Sequence, residues 1–563
     1  MKVGDRLANL LIEYGVKYVF GVPGGQTLPL YHGIMRSEGR IEHVLMRDER
    51  SAGYAADAYA RITGRTGVCD ATVGPGATNL VSPLAEAYNS SIPILAIISD
   101  IPRAWEHRRV RGNASQGMRQ LDLFYTISKW QTNLTDPSAL DDAVDTAFRI
   151  ATTGKPGPVV LCIPEDVASS TFPQPKPPDP GRSSHFPRHR AAPDPEAIQQ
   201  AKQLILQAQK PALLVGGGAL ISQAFEEIRA LAEYLDSPVT TTITGKGILE
   251  ETHPLVFGVT GSMGNPIANK VIEKADLVIF IGTKTGQLAT FGYDFPRPGV
   301  PTIHIDIDPE EIGRNFPDSV PLVADARLAV AALLESLGDD RPQTAWQQED
   351  LSRRLKEWYK EALDKPQGKG EPLKPQAIMD VVNRFATEED LAVCDASLAS
   401  GWAAVYYQMA KSGRRYLAPR GLAGLGWGAP AAIGSALATD GKHRILLFAG
   451  DGGFAYSVQE LEVMARLELP VVSIVFNNDT LGWIKHVQRS RFKDGFISTD
   501  FRHVDFATVA RGFGARGYTV RTVDELATAL DKERFPQGPA VIDVVTDQWE
   551  TPVLRFASTG GKV

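Results

Sequence analysis

The sequence predicts an α/β protein with three doubly wound parallel-sheet domains, and three observations carry that prediction. Short β-rich runs alternate with Gly-rich or polar turns and with helices of roughly 10 to 15 residues. The strands KYVFGV, IEHVLM, GVCDATV and PILAIIS of the first block, and LAVCD, RILLFAG, PVVSIVF and PAVIDVV of the third, are apolar runs of the kind that parallel sheets bury between two layers of helices. Two separators cut the 563 residues into three blocks, at 1–170, 190–338 and 370–552. The first separator, from Thr171 to Ala197, is dense in proline, which withholds backbone donors from any ladder. The second, from Gly338 to Pro375, is polar around a helix in WQQEDLSRRLKEWYKEAL, with Pro366, Pro372 and Pro375 behind it.

Composition removes several function classes. With 43% hydrophobic and 22% charged residues, the chain is neither disordered nor fibrous, and three cysteines (Cys69, Cys162, Cys394) make no disulfide scaffold. A reduced, cytoplasmic protein is expected. There are 59 Lys+Arg against 66 Asp+Glu, a net charge of −7, without a Lys/Arg block. That argues against nucleic acid and membrane partners and leaves small anionic ligands to local sites. No apolar run reaches the length of a membrane span.

The elements then follow in order. MKVGDRLANLLIEYGV places Val3, Leu7, Leu10, Leu11 and Tyr14 at helical spacing. FGVPGGQTLPLY is a strand and a loop carrying Gly24, Gly25 and Gln26. In MRDERSAGYAADAYARITGRTGV, Glu49 opens a helix whose Ala52, Gly53, Ala55, Ala56, Ala58 and Ala60 admit a close neighbour. Taken alone, an acid there only complements the helix dipole, worth under about 1 kcal/mol. GPGATN, from Gly74 to Asn79 and including Pro75, joins a strand to a helix and offers backbone donors. Gly216, Gly217 and Gly218 follow a strand and open a helix in the middle block. Gly512, Gly514 and Gly517 spell GxGxxG but follow a helix, as a C-cap does. RGLAGLGWGAPAAIG sets Leu425 among glycines.

The most informative stretch runs from Arg444 to Asn478. It parses as strand, turn, helix and strand. Ser457 and Glu460 have capping-box spacing, and Val458, Leu461, Met464 and Leu467 form the buried face. Asp451 and Asn478 end neighbouring parallel strands, so both oxygen ligands face one crevice, where such sheets bind ligands. Gly450, Gly452 and Gly453 let a bulky anion reach the backbone, and a carboxylate with an amide suits octahedral Mg²⁺. No GxxxxGK[ST], HExxH, CxxC or GxSxG occurs.

GDG at 450–452 followed by NN at 477–478 resembles the thiamine diphosphate motif. From end to end the chain resembles the acetolactate synthase-like branch (acetohydroxyacid synthase large subunit) of the thiamine diphosphate-dependent enzymes. The resemblance implies pyrimidine-binding, central and diphosphate-binding domains. Asp451, Asn478 and the Thr480 carbonyl would hold Mg²⁺ against the cofactor's diphosphate. Glu49 would be the catalytic glutamate, its carboxylate against a ring nitrogen of the aminopyrimidine, and Gln116 would lie near the reacting carbon. Gly25, Gln26, Pro75, Asn79, Gly450, Gly452, Gly453, Leu481, Gly482 and Trp483 would line the cofactor, and Leu425 would prop it into a bent shape. The Gly216–Gly218 turn is then either a cradle for FAD or a vestige of the doubly wound fold. Active sites at a subunit interface imply a homodimer or homotetramer.

Five positions depart from the family pattern. Leu398 and Ala399 stand where relatives often place a Gln-His pair. Trp483 replaces a methionine, and Ser115 a frequent phenylalanine. Leu288 stands where an arginine usually holds the acceptor's carboxylate. The activity implied is decarboxylation of a 2-oxo acid, pyruvate by default, with carboligation to an acceptor carbonyl. The alternatives are a non-ligating, benzoylformate decarboxylase-like enzyme, another carbon-carbon lyase of the superfamily, or a non-catalytic cofactor-binding regulator. Intact Glu49 and Asp451 argue against the last.

Overall fold

The computed structural model describes residues 1–173, 181–364, 372–492 and 495–555. Residues 174–180 of the first separator and 365–371 of the second, Pro366 among them, lie outside the described residues.

Three six-stranded parallel sheets form the frame. Across the first sheet the strands are Glu42–Leu45, Tyr18–Gly21, Gly67–Ala71, Ile94–Asp100, Val159–Pro164 and Trp130–Asn133. Across the third they are Tyr416–Leu417, Leu391–Cys394, Ile445–Gly450, Val471–Asn477, Ala540–Val545 and Arg516–Val520. Numbered along the chain, both follow the order 2-1-3-4-6-5. The middle sheet runs Val320–Val323, Thr302–Asp306, Leu277–Ile281, Pro211–Val215, Val239–Thr241 and Val256–Val259. Its winding reverses between Pro211–Val215 and Leu277–Ile281. The central strands Gly67–Ala71, Ile94–Asp100, Pro211–Val215 and Leu277–Ile281 bury every residue. Only helices on both faces can cover such strands. The fold class is thus the one that the apolar runs predict.

By their contacts the residues divide into two compact units. The first joins Met1–His189 with Pro419–Lys442 and Ser457–Val471. Its helix Val3–Glu13 buries Val3, Leu7, Leu10 and Leu11, while Tyr14 stacks on Phe148 at 3.8 Å. In the same unit, helix Gly428–Ala438 lies on helix Glu49–Thr63. A Cβ on Gly434 would come 2.1 Å from the Ala55 carbonyl, so the small-residue face does receive a close neighbour. The second unit holds Arg190–Ala418, His443–Tyr456 and Val472–Val563, with one core about Leu213, Leu231 and Ile303 and another about Trp402, Phe448 and Ile474.

The helix expected to open at Ser457 is different. A five-residue helix, Asp451–Ala455, starts directly after the strand, and a 3-10 turn, Val458–Glu460, precedes Leu461–Arg466. Ser457 makes no cap bond. Glu460 turns inward within the first unit, where its carboxylate accepts the Arg47 amide at 3.4 Å. Leu461 and Met464 are buried as expected, but Val458 and Leu467 are only half-buried. The capping-box pattern loses because coiling begins earlier, at Asp451, whose carboxylate already satisfies the Gly452 amide at 2.7 Å.

Candidate active site

In the first unit the loops at the carboxyl ends of neighbouring strands bring one set of predicted residues together. Glu49 is the first residue of its helix, after the N-cap Asp48. Its carboxylate accepts the Asn79 side-chain amide at 2.9 Å, and a Cβ on Gly76 would come 3.1 Å from its other oxygen. Asn79 ends the short helix Pro75–Asn79. Gly74, with φ +73°, lies against Gln116, whose carbonyl would be 2.5 Å from a Cβ there. Gln116 itself is exposed at φ +60°, next to exposed Ser115. Gly25 and Gln26 form a 3-10 turn with Thr27, and the Gln26 side-chain Oε1 accepts the Thr72 hydroxyl at 3.0 Å.

Two fixing residues escaped the sequence reading. Gln120 is buried, accepts the Gly74 amide at 3.0 Å and donates to the Ser99 carbonyl at 2.8 Å. Glu86, also buried, accepts the amides of Gly421, Leu422 and Ala423 at 2.9, 2.6 and 2.9 Å, which fixes the turn leading to half-buried Leu425. Burial alone would raise its pKa, but Arg61 and these amides outweigh that and hold it below the usual value. Neither residue belongs to a local motif, so no sequence pattern marked it.

The second unit assembles the other set. Asp451 is buried and accepts from Gly452 at 2.7 Å and from the Asn478 amide at 3.2 Å. Burial pushes its carboxyl up to about 6, against the amides of Gly452, Asp479 and Asn478. The Asn478 carboxamide oxygen is buried without a hydrogen-bond partner. Thr480 is clamped by its hydroxyl to the Thr499 carbonyl at 3.0 Å, and the Leu481 amide reaches the same carbonyl at 2.7 Å. Gly450 has open space, whereas a Cβ on Gly453 would come 2.9 Å from Asp395 and one on Gly482 2.9 Å from Leu398. Asp395, at the end of the next strand, is a buried carboxylate that the strand-end rule could have found.

A buried carboxylate beside an orphaned amide oxygen is a donor pair that asks for a hard cation, and Mg²⁺ fits it. Among the described residues no group of three or more His, Cys, Asp or Glu gathers as metal ligands, so the donors here are mixed. Leu398 and Ala399 are buried, and half-buried Trp483 packs on the core about Trp402. Leu288 is half-buried on that same core, its carbonyl accepting the Ser262 amide at 2.8 Å.

The middle glycines have a packing role. A Cβ on Gly216 would come 2.3 Å from the Gly282 carbonyl and one on Gly218 2.8 Å from the Gly282 Cα. They let two strand-end turns meet backbone to backbone, a requirement that stands without a flavin. In the GxGxxG match, Gly512 ends helix Phe506–Gly512, Gly514 has φ +85° and Gly517 lies in the following strand. The three cysteines are buried and free, and burial pushes the Cys394 thiol up to about 12.

Comparison with known proteins gives this arrangement its context. Residues 1–123 match the model for the thiamine pyrophosphate enzyme N-terminal TPP binding domain, 198–333 the central domain, and 395–544 the C-terminal TPP binding domain. The probable acetolactate synthase large subunit of Methanocaldococcus jannaschii is 33% identical over 100% of this chain and 94% of its own length. The acetolactate synthase of Arthrospira platensis is 35% identical over 96% and 93%, and the acetolactate synthase large subunit of Corynebacterium glutamicum 34% over 98% and 88%. With all three domains matched in order and relatives similar along the whole length, the chain belongs to the thiamine pyrophosphate enzymes, in the family of acetolactate synthase large subunits.

Proposed function

We propose that this chain decarboxylates a 2-oxo acid, pyruvate by default, and joins the remaining carbon unit to an acceptor carbonyl, using thiamine diphosphate and Mg²⁺. The observation that carries this reading is the pairing of buried Asp451 with the orphaned Asn478 oxygen at neighbouring strand ends. Thiamine diphosphate, when bound, supplies the electron sink for loss of CO₂.

The chain's own residues do the rest. Asp451, Asn478 and the Thr480 carbonyl would hold Mg²⁺, Gly450 leaves room for the diphosphate, and Gly452, Gly453, Leu481 and Gly482 would line it. Glu49, oriented by Asn79, holds the proton balance of the aminopyrimidine ring. Leu425 shapes the cofactor, while Gly25, Gln26, Pro75, Gln116 and Trp483 border the cofactor and substrate. Leu288 offers an apolar side chain where an acceptor carboxylate would need a cation, which favours an acceptor aldehyde or plain protonation of the product. The working protein is a homodimer or homotetramer in the cytoplasm. Its flavin content is readable from absorbance near about 450 nm.

The test is NMR product analysis after incubation with pyruvate, thiamine diphosphate and Mg²⁺, beside a sample with EDTA. A metal-dependent product with a new carbon-carbon bond, acetolactate or acetoin, is expected. Acetaldehyde alone would replace ligation by simple decarboxylation, and unchanged pyruvate would refute the default donor.

A further inference from the structure

Residues 100–120 form a closed loop in the first unit, and its outer face is basic. Between positions 103 and 119 the sequence holds five arginines and one glutamate, in a chain of net charge −7. Arg109 staples the base. Its guanidinium binds both Asp100 oxygens at 2.8 and 3.0 Å, both Glu106 oxygens at 2.9 and 2.5 Å and the Met118 carbonyl at 2.7 Å. Arg103 pairs with Asp166 and Arg119 with Asp122. Arg108 and Arg111 are different: both are exposed, and neither meets a carboxylate among the described residues. The Arg108 Nε faces only its neighbour His107, at 3.1 Å. Beside them Trp105 is half exposed. The same loop carries Gln116, whose carbonyl lies against Gly74, at the head of the short helix that carries Asn79 and so orients Glu49.

A loop tied at its base by Arg109, with two exposed guanidinium groups that meet no carboxylate among the described residues and with Gln116 in the same segment, is a place for an anion. That anion is not the carboxylate that departs. Its charge disperses as CO₂ forms, so a tight guanidinium pair would hold the ground state more strongly than the transition state and slow the step. A remote, unreacting anion carries no such penalty, and its binding can position the rest of the substrate.

Resting on the proposed decarboxylation, we infer that Arg108 and Arg111 bind a second anionic group, a carboxylate, sulfonate or phosphate, borne by a substrate at a distance from its reacting carbonyl. The structure thereby assigns the enzyme substrates larger and more charged than pyruvate with a simple aldehyde.

The test compares matched substrates on the full-length holoprotein and on the R108Q/R111Q variant. The pairs are 2-oxoglutarate against 2-oxohexanoate as donors, and succinic semialdehyde against pentanal as acceptors. The anionic member is expected to have a kcat/KM at least about tenfold higher, carried by KM, and the advantage should fall to about twofold or less in the variant and at about 0.5 M NaCl. Constants for the neutral members should not move. Calorimetry with glutarate and with adenosine 3′,5′-bisphosphate reads binding without turnover. Arginine-dependent binding of glutarate points to a carboxylate, and of the bisphosphate alone to a phosphate-bearing carrier. If no oxo acid is turned over yet such binding persists, the activity fails and the anion site stands. Equal kcat/KM within each pair together with unchanged calorimetry in the variant would overturn the inference, as would a variant whose only change is its oligomeric mass.

Discussion

Glu49 shows how a single carboxylate becomes usable. Asn79 holds one oxygen, and Gly76 leaves space beside the other. Glu49→Gln keeps the size and the Asn79 contact but cannot exchange a proton with the cofactor ring. Turnover should fall by about 10²- to 10⁴-fold while circular dichroism and melting stay those of the wild type. Undiminished turnover would remove Glu49 from the mechanism. Asp451 carries a separable task. Asp451→Ala should abolish retention of thiamine diphosphate with Mg²⁺ in equilibrium dialysis, while Glu49→Gln retains both; equal retention in both variants would mean that Asp451 holds no metal. The placement of Glu49, Asp451 and Asn478 was legible because each sits where a strand meets a helix or turn, and polar residues at such points are few. Gln120 and Glu86 were not legible, since their partners are backbone amides brought from Gly74 and from 421–423 by tertiary folding. Arg108 and Arg111 escaped because unpaired charge is visible only once every other arginine of the loop has found its acid.

At the scale of elements, the site depends on how helix Glu49–Thr63 is seated. Its Ala-rich face receives helix Gly428–Ala438, with Gly434 against the Ala55 carbonyl. The Trp427 indole donates to Asp57 at 3.0 Å, and Arg61 joins Asp57 to Glu86. Gly434→Val would drive two methyl groups into backbone that cannot retreat. A loss of roughly 3 kcal/mol or more is expected, read as a lower urea midpoint with unchanged slope. A neutral effect would show that the helices are not in contact. Strand positions were legible because each strand is apolar along its whole length. The break at Ala455–Ser457 was not: Ser457 and Glu460 have the spacing of a cap, yet the preceding Asp451 starts the coil first, and the burial of Glu460 is decided by the distant Arg47 segment. A local pattern gives way where a remote partner is better placed.

Over the whole molecule, the repeated strand order of the first and third sheets gives two similar scaffolds, one carrying Glu49 and the other Asp451. Buried acids also govern how stability responds to pH. Glu460 is fully buried, and burial pushes its carboxyl up to about 7, with the Ser51 hydroxyl and the Arg47 amide returning only part of the cost. Its folded pKa lies above its unfolded value of 4.5, so the folded state binds more protons between those limits. The stability it contributes is therefore full below about 4.5 and is lost as pH rises through about 7, with a total near 3 kcal/mol. Asp57, pushed up to about 6 by burial, acts with the same sign in a lower window, and Glu86, held low, acts with the opposite sign at acid pH. Between about pH 6 and 8 Glu460 shares the slope with His304 and His486, whose imidazoles burial holds below the unfolded value of 6.5 and which therefore act with the opposite sign. Urea unfolding across that range should show stability falling more steeply with pH, or rising less, in the wild type than in Glu460→Gln, which keeps the shape and sheds the titration. Parallel profiles for the two proteins would show that burial does not raise the Glu460 carboxyl and would remove it from the pH dependence.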